Sequence, residues 1–234
     1  MLPLRDSLQS RTFPWVTVLL ILANILVFMA LGAADDRLLE ALTFVPRRFF
    51  AWRGGTFDLE RWLPLFTAMF LHANLFHLVS NLWFLWVFGD NVEDRLGHGR
   101  YLLFYLACGV ASFLVYGFSV PRSMVPALGA SGAISGVLGA YLYLFARARI
   151  LTLIPIIIIP WLVEIPAFVF LGVWFLIQFF YGTASPAAGG VAWWAHIGGF
   201  VAGFGLAFVL APPGTQPPSR PWVSRRPPSA FLQR

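Results

Sequence analysis

The chain has 234 residues, of which 59% are hydrophobic, 17% aromatic and only 11% charged. Soluble domains carry about 25% charged residues, so this composition excludes an ordinary soluble domain and predicts a membrane protein. The formal net charge is +6 and every basic residue is arginine. These arginines are scattered over loops and tail without forming a basic stripe, which argues against nucleic-acid binding and favours charges that set membrane topology.

Six apolar segments follow one another along the chain, and each is a candidate for a membrane-spanning helix. In chain order they are residues 14–33, 75–88 with 63–72 leading in, 101–120, 131–145, 164–181 and 191–210. The first superficially resembles a signal peptide, but its apolar part is longer than the roughly 7–15 residues of such peptides. We therefore predict a retained first span and an all-α membrane protein with six transmembrane helices.

Residues 150–181 are ambiguous because they combine one charge, Glu164, with three prolines. Two short helices are one interpretation. Prolines at Pro155, Pro160 and Pro166 interrupt helical hydrogen bonding, so we favour an interfacial loop followed by a single span over residues 164–181.

The distribution of arginine predicts the orientation of the chain. Six spans place 10 arginines on one side and 6 on the other, together the 16 of the chain. The positive-inside rule then puts both termini in the cytoplasm of a plasma or inner membrane. The first outer loop, residues 34–63, interleaves arginine with aromatic rings, a combination suited to the lipid headgroup region. The predicted units are a cytoplasmic segment 1–13, a membrane domain 14–210 and a disordered Pro/Arg-rich tail 211–234.

Ser131 lies in a Gly-Ala-Ser-Gly string at the start of the fourth apolar segment. Small residues alone indicate helix packing. However, residues 131–145 make only about 22 Å of helix, whereas the hydrocarbon core is about 30 Å thick. A helix anchored at its far end by Arg147 and Arg149 would begin below the outer surface. Ser131 is therefore a candidate nucleophile at a helix N-terminus, where free N–H groups stabilise negative charge.

His196 lies within the last apolar segment, and a polar residue at membrane depth is a candidate functional residue. Packing against a neighbouring helix is the simpler alternative. Gly199 and Gly203 share its helix face, and small residues also line the Ser131 segment. Two such faces allow close backbone approach, which bringing His196 within hydrogen-bond reach of Ser131 would require.

His72, His77 and Asn81 form a further polar group at the second apolar segment. His77 and Asn81 are four residues apart and project from one helix face. A metal site is the alternative, but no acidic ligand or His-Glu-x-x-His pattern accompanies the histidines. Donation of hydrogen bonds to a developing oxyanion is the favoured role.

Together these residues resemble the rhomboid family of intramembrane serine proteases over about residues 10–210. The matching strings are Gly129-Ala130-Ser131-Gly132, Ala195-His196-Ile197-Gly198-Gly199 with Gly203, His72-x4-His77-x3-Asn81, and Phe88-Gly89-Asp90-Asn91-Val92-Glu93. Each is loose alone, and their joint order and spacing carry the resemblance.

The resemblance implies an intramembrane serine endopeptidase with a dyad and neither cofactor nor metal. Ser131 is then the nucleophile, and His196 the general base and later the acid for the leaving amine. The other implied site residues are the oxyanion-hole donors Asn81, His77 and the Ser131 N–H, and the glycines for substrate binding or close packing, Gly129, Gly132, Gly199 and Gly203. Implied substrates are membrane proteins with a transmembrane helix, cut near the outer interface at small residues.

The family also implies a membrane-embedded first outer loop, and a substrate gate formed by the fifth span and residues 182–190. No acidic residue accompanies His196 in the spans, in keeping with a dyad. Two positions depart from some members: Ser135 replaces an aromatic residue that stacks on the histidine, and Arg61-Trp62 replaces the order Trp-Arg. The first departure predicts a differently positioned His196.

Two other functions are compatible with a polytopic chain. A non-catalytic relative that binds membrane clients would lack the serine or the histidine, and this chain has both. A small transporter would need a polar pathway or inverted repeats, and the sequence shows neither. The oligomeric state and the natural substrate are not predicted.

Overall fold

The computed structural model describes residues 1–32, 35–55, 57–156, 159–184 and 191–211. The helices are α1 Trp15–Leu31, α2 Asp36–Leu42, α3 Pro46–Phe50, α4 Leu59–Trp62, α5 Pro64–Thr67, α6 Leu75–Leu96, α7 His98–Ser119, α8 Ser131–Phe145, α9 Ala167–Ala184 and α10 Trp193–Leu210, with a 3-10 turn at Ala68–Phe70 between α5 and α6. The strands are β1 Leu2–Asp6, β2 Arg149–Ile156 and β3 Ile159–Pro166. The predicted tail lies almost entirely outside the described residues.

The chain is a mostly helical, multi-pass integral membrane protein. Within the described residues, α7, α9 and α10 are long and apolar enough to cross a membrane, and Leu59–Phe70 with Leu75–Leu96 make a fourth candidate bent by 81°. The apolar helices α1 and α8 are shorter, with 17 and 15 residues. Six spans would require both of these to cross as well, and that number stays a prediction.

Helix α8 is the centre of the bundle, and glycines bring α10 into direct contact with its backbone. A Cβ added at Gly199 would overlap the carbonyl group of Gly132, and one at Gly203 would overlap that of Gly136. On the opposite helix, a Cβ at Gly139 would overlap the carbonyl of Phe200. The two helices therefore approach as closely as their backbones allow, as the small-residue faces predict.

Two hydrophobic clusters flank this pair of helices. The larger one contains fully buried rings such as Phe88, Tyr105 and Tyr141. The smaller one packs the connection between α1 and α6 against α7 through Phe44, Phe49, Met69 and Phe113, among others. The backbone of Phe44 also pairs with that of Ala127, so this connection is held against the segment that leads into α8.

A buried carboxylate fastens the start of α1 to the end of α6. Glu93 is fully buried and accepts hydrogen bonds from Val16 N at 2.8 Å, Thr17 N at 2.8 Å and Thr17 Oγ1 at 2.7 Å. The Nδ1 of His98 lies 2.6 Å from the same carboxylate. The carboxylate thus satisfies N–H groups at the start of α1 that have no partner within the helix.

A three-stranded antiparallel sheet, in the order β1-β2-β3, distinguishes the structure from the all-α prediction. Residues expected to form an interfacial loop make the β2–β3 hairpin, and the predicted cytoplasmic segment supplies β1. The prolines that argue against a helix are compatible with this sheet. Pro160 and Pro166 lie in the edge strand β3, and Pro155 lies in β2 beyond the residues paired with β1. A run of Ile, Val, Leu and Thr favours strands.

Candidate active site

Ser131 is the first residue of α8, and a turn at Gly129 directly precedes it. Gly129 has φ +118°, a conformation that residues with a side chain rarely adopt. Its N–H donates to the carbonyl of Ala68 at 2.8 Å, which ties the turn to the segment before α6. Ser131 is half-buried, while the ten residues that follow it in α8 are buried. The hydroxyl therefore lies at a helix N-terminus within the bundle.

His196 in α10 lies beside this serine. Its Nε2 is 2.9 Å from Ser131 Oγ, although the two residues are 65 positions apart in the chain. The glycine contacts between α8 and α10 make this approach possible, because any larger residue at Gly199 would push Gly132 and its neighbour Ser131 away. A hydroxyl that donates to an imidazole nitrogen has the arrangement of a nucleophile and its general base.

The other ring nitrogen of His196 meets an amide. Nδ1 is 2.7 Å from Oε1 of Gln178 on α9, and Gln178 is 6% exposed. A neutral imidazole has one N–H and one acceptor nitrogen. When Nδ1–H donates to the amide oxygen, Nε2 is left to accept from Ser131. These two partners of the His196 ring, a hydroxyl and an amide, are both uncharged.

Two tryptophans surround the His196 ring. The ring of Trp174 on α9 lies 6.1 Å away between centroids and is tilted by 32°, and that of Trp193 lies 6.1 Å away at 87°. Ser135, which occupies the position of the aromatic residue in some family members, donates instead to the carbonyl of Ser131 at 2.6 Å. The aromatic contact therefore comes from α9 and α10 in this protein.

Sequence reasoning missed Trp174 and Gln178. They are four residues apart and share one face of α9. Gln178 is also the one amide in an otherwise apolar span, and polar side chains in such spans usually have a structural or functional partner. The sequence therefore indicated that Gln178 has a partner, but it did not indicate that the partner is His196.

His77 and Asn81 on α6 lie beside the glycine turn. A Cβ added at Gly129 would be 2.7 Å from His77 Cε1 and 3.8 Å from Asn81 Nδ2. Asn74 caps α6 by accepting from His77 N at 2.8 Å, which fixes the first turn of the helix. Asn81 Nδ2 donates to the carbonyl of His77 at 3.0 Å, and the amide has a second N–H.

His72 does not join the serine and histidine. It lies between the 3-10 turn and α6, and its ring packs edge-on against that of His77 with 5.1 Å between centroids. The polar residues predicted from the second apolar segment are thus split between two places. His77 and Asn81 flank the turn before Ser131, whereas His72 contacts only the ring of His77 among these residues.

Comparisons with known proteins identify the family of this chain. A family model described as the rhomboid domain matches residues 59–213. The chain is 36% identical over 140 residues to the rhomboid protease GluP of Bacillus subtilis, covering 58% of this chain and 26% of that protein. It is 29% identical over 230 residues to the mitochondrial RHOMBOID-like protein 6 of Arabidopsis thaliana, covering 84% and 68%. With the chloroplastic Rhomboid-like protein 11 of the same plant, identity is 44% over 80 residues, covering 34% and 28%.

Proposed function

Because this chain belongs to the rhomboid family of serine proteases, we propose that it is an intramembrane serine endopeptidase with Ser131 and His196 as its dyad. The observation that carries the proposal is the 2.9 Å separation of Ser131 Oγ and His196 Nε2. It occurs at the N-terminus of a buried helix, where backbone N–H groups favour a developing negative charge.

The reaction is acyl transfer in two halves. Ser131 Oγ attacks the scissile carbonyl carbon and gives its proton to His196 Nε2. When the tetrahedral intermediate collapses, the C–N bond breaks and His196 returns that proton to the leaving amine. Water then loses a proton to His196 and attacks the ester carbonyl. When this second intermediate collapses, the C–Oγ bond breaks and His196 returns the proton to Ser131 Oγ, which releases the new carboxyl end.

The oxyanion of each tetrahedral intermediate needs donors. We assign this role to the Ser131 N–H, Asn81 Nδ2 and His77. Support comes from the position of both side chains beside Gly129, two residues before the nucleophile. One such donor is typically worth about 10²–10³ in rate. Gly129 leaves room for the His77 ring beside the turn, while Gly132, Gly199 and Gly203 serve the packing of α8 against α10.

The proposed topology has six spans, α1, α6, α7, α8, α9 and α10, within a domain of residues 14–210. Both termini lie in the cytoplasm of a plasma or inner membrane, in accordance with the arginine distribution. The first outer loop lies in the membrane, and its exposed apolar side chains Leu38 and Phe57 suit that location. The proposed gate consists of α9 and the loop of residues 182–190. Most of this loop lies outside the described residues, and so does most of the predicted tail.

Membrane proteins with a transmembrane helix are the substrates expected for a rhomboid protease. We propose that the substrate helix unwinds near the outer interface and presents a carbonyl flanked by small residues to Ser131. No cofactor, metal or nucleic acid takes part in this reaction.

The test is cleavage of a single-span reporter in proteoliposomes by the wild type, Ser131→Ala and His196→Ala. We expect cleavage by the wild type alone, together with labelling of Ser131 by a fluorophosphonate. Cleavage by either variant at the wild-type rate contradicts the dyad. Absence of both cleavage and labelling in the wild type would favour a protein that binds membrane clients, and ion or solute flux would favour a transporter.

A further inference from the structure

Helix α9 presents two side chains to His196 from one face. Gln178 Oε1 accepts from Nδ1 at 2.7 Å, and Trp174, one turn earlier, lies along the ring with 6.1 Å between centroids. The imidazole is therefore held at its second nitrogen and on its face by a helix that carries neither Ser131 nor His196.

The burial of Gln178 indicates that its hydrogen bond matters. The side chain is 6% exposed within a span whose other side chains are nearly all apolar. An amide buried without a partner is costly, and the described residues provide His196 Nδ1 as the partner of its oxygen. The same bond removes an ambiguity in the imidazole, whose proton can reside on either nitrogen. Only with the proton on Nδ1 can Nε2 accept the proton of Ser131.

We propose that Gln178 is a positioning residue that holds His196 in its Nδ1–H form and aims Nε2 at Ser131, with Trp174 fixing the plane of the ring. The inference rests on the proposed function, since it describes how the general base of that reaction is prepared. It also makes catalysis dependent on α9, because displacement of this helix would remove both contacts from His196.

An amide performs this task differently from a carboxylate. It accepts the Nδ1–H bond without adding a charge, so it orients the ring while giving the imidazolium little electrostatic stabilisation. Besides Ser131 of α8, which bonds to Nε2, the side chain of His77 of α6 lies close enough to the ring to interact with it electrostatically. A negative charge at position 178 would stabilise the imidazolium.

The experiment compares reporter cleavage by wild type, Gln178→Met, Gln178→Glu and Ile177→Ala across a range of pH. Methionine keeps the length and apolar volume of the side chain but is a poor acceptor. Glutamate keeps the acceptor and can add a charge. Ile177 is the adjacent residue, 42% exposed and on a different face of α9 from Gln178, so its variant controls for changes in α9 itself.

We expect Gln178→Met to lower kcat roughly tenfold with KM nearly unchanged, about the effect of one lost hydrogen bond. Gln178→Glu should retain kcat at alkaline pH and move the acidic limb of kcat/KM to higher pH, because the carboxylate favours the protonated imidazole. Ile177→Ala should match the wild type.

Wild-type kcat in Gln178→Met overturns the inference while leaving the protease intact. Equal losses in both variants, with lowered thermal stability and an unshifted pH profile, also overturn it, because they indicate packing alone. If the wild type neither cleaves nor reacts with a fluorophosphonate at Ser131, the proposed function fails first and this inference with it.

Discussion

The helix pair α8–α10 and helix α9 contact the same histidine but are built in opposite ways. Eleven of the 15 residues of α8 are buried, compared with five of the 18 in α9. Glycines hold α10 against the backbone of α8, whereas α9 reaches His196 with two side chains, Trp174 and Gln178. The serine–histidine distance is thus set by backbone contact, and the orientation of the imidazole by a more peripheral helix.

Helix α9 is held to neighbouring segments by hydrogen bonds near both of its ends. At its start, Ala167 N donates to Ala148 O at 2.7 Å and Phe168 N donates to Ala146 O at 3.0 Å. Near its end, Trp194 Nε1 donates to Gly182 O at 3.1 Å. Local stability follows the density of buried contacts, so α9 should move more readily than α8 or α10. Variants in the α8–α10 pair should therefore lose more cleavage activity than variants in α9.

Gly199→Ala should have the largest effect, because the new methyl group would overlap the Gly132 carbonyl. Overpacking of this kind typically costs about 1–3 kcal/mol, and a shift of about 1 Å at a reacting group can cost about 10²-fold in rate. We expect cleavage to fall at least roughly 100-fold, measured as kcat/KM on the reporter. Gly205→Ala is the matched control, since a Cβ there meets nothing within 4 Å. Equal activity in the two variants would show that backbone contact does not set the dyad distance.

Asn81→Ala should have the next largest effect. We expect a roughly 100-fold loss in kcat with little change in KM, because the proposed oxyanion donor acts mainly in the transition state. Asn24→Ala is the control. Asn24 in α1 makes the same kind of bond to its own helix, from Nδ2 to Leu20 O at 2.7 Å, and is fully buried. If both variants lose activity in proportion to their stability, Asn81 has only a structural role.

Trp174→Leu should reduce kcat about tenfold or less. Aromatic contacts are worth about 0.5–1.5 kcal/mol beyond their buried area, and the loss here would affect only the orientation of the ring. Trp174→Phe should recover most of the rate, while Trp161→Leu, at a 60% exposed position of β3, should have none of this effect. A Trp174→Leu variant as inactive as Gly199→Ala would mean that α9 is as essential to the dyad as α8.

Glu93→Gln should have the smallest effect on catalysis and a clear effect on stability. Glu93 holds the start of α1 through hydrogen bonds to a charged group, and such bonds contribute about 1.5–3 kcal/mol each. The thermal unfolding temperature should fall, while kcat of the folded enzyme stays near the wild-type value. Asp94→Asn should lower the unfolding temperature less, because Asp94 binds Thr12 at an exposed position. A large loss of kcat in Glu93→Gln would connect this end of the bundle to the active site.

Much of the fold could be predicted because the membrane imposes simple local rules. The family and the membrane class are confirmed, and α7, α9 and α10 lie close to predicted apolar segments. The sheet was not predicted. Its β1 strand pairs with β2 across more than 140 residues of sequence, and no local pattern specifies a partner that distant. The prolines correctly argued against a helix in this region, but they could not distinguish a loop from an edge strand.

The sequence by itself determined that this is a membrane protein, that its motifs resemble those of one family, and that α8 and α10 have glycine faces by which they can meet. These properties depend on composition and on helical periodicity, which are local. Tertiary structure alone decided that Gln178 faces His196 Nδ1 and that Trp174 packs against the His196 ring while Ser135 bonds to its own helix. Both contacts depend on how α9 is rotated and tilted against α10. That geometry is set by packing of the whole bundle and not by any segment of the chain.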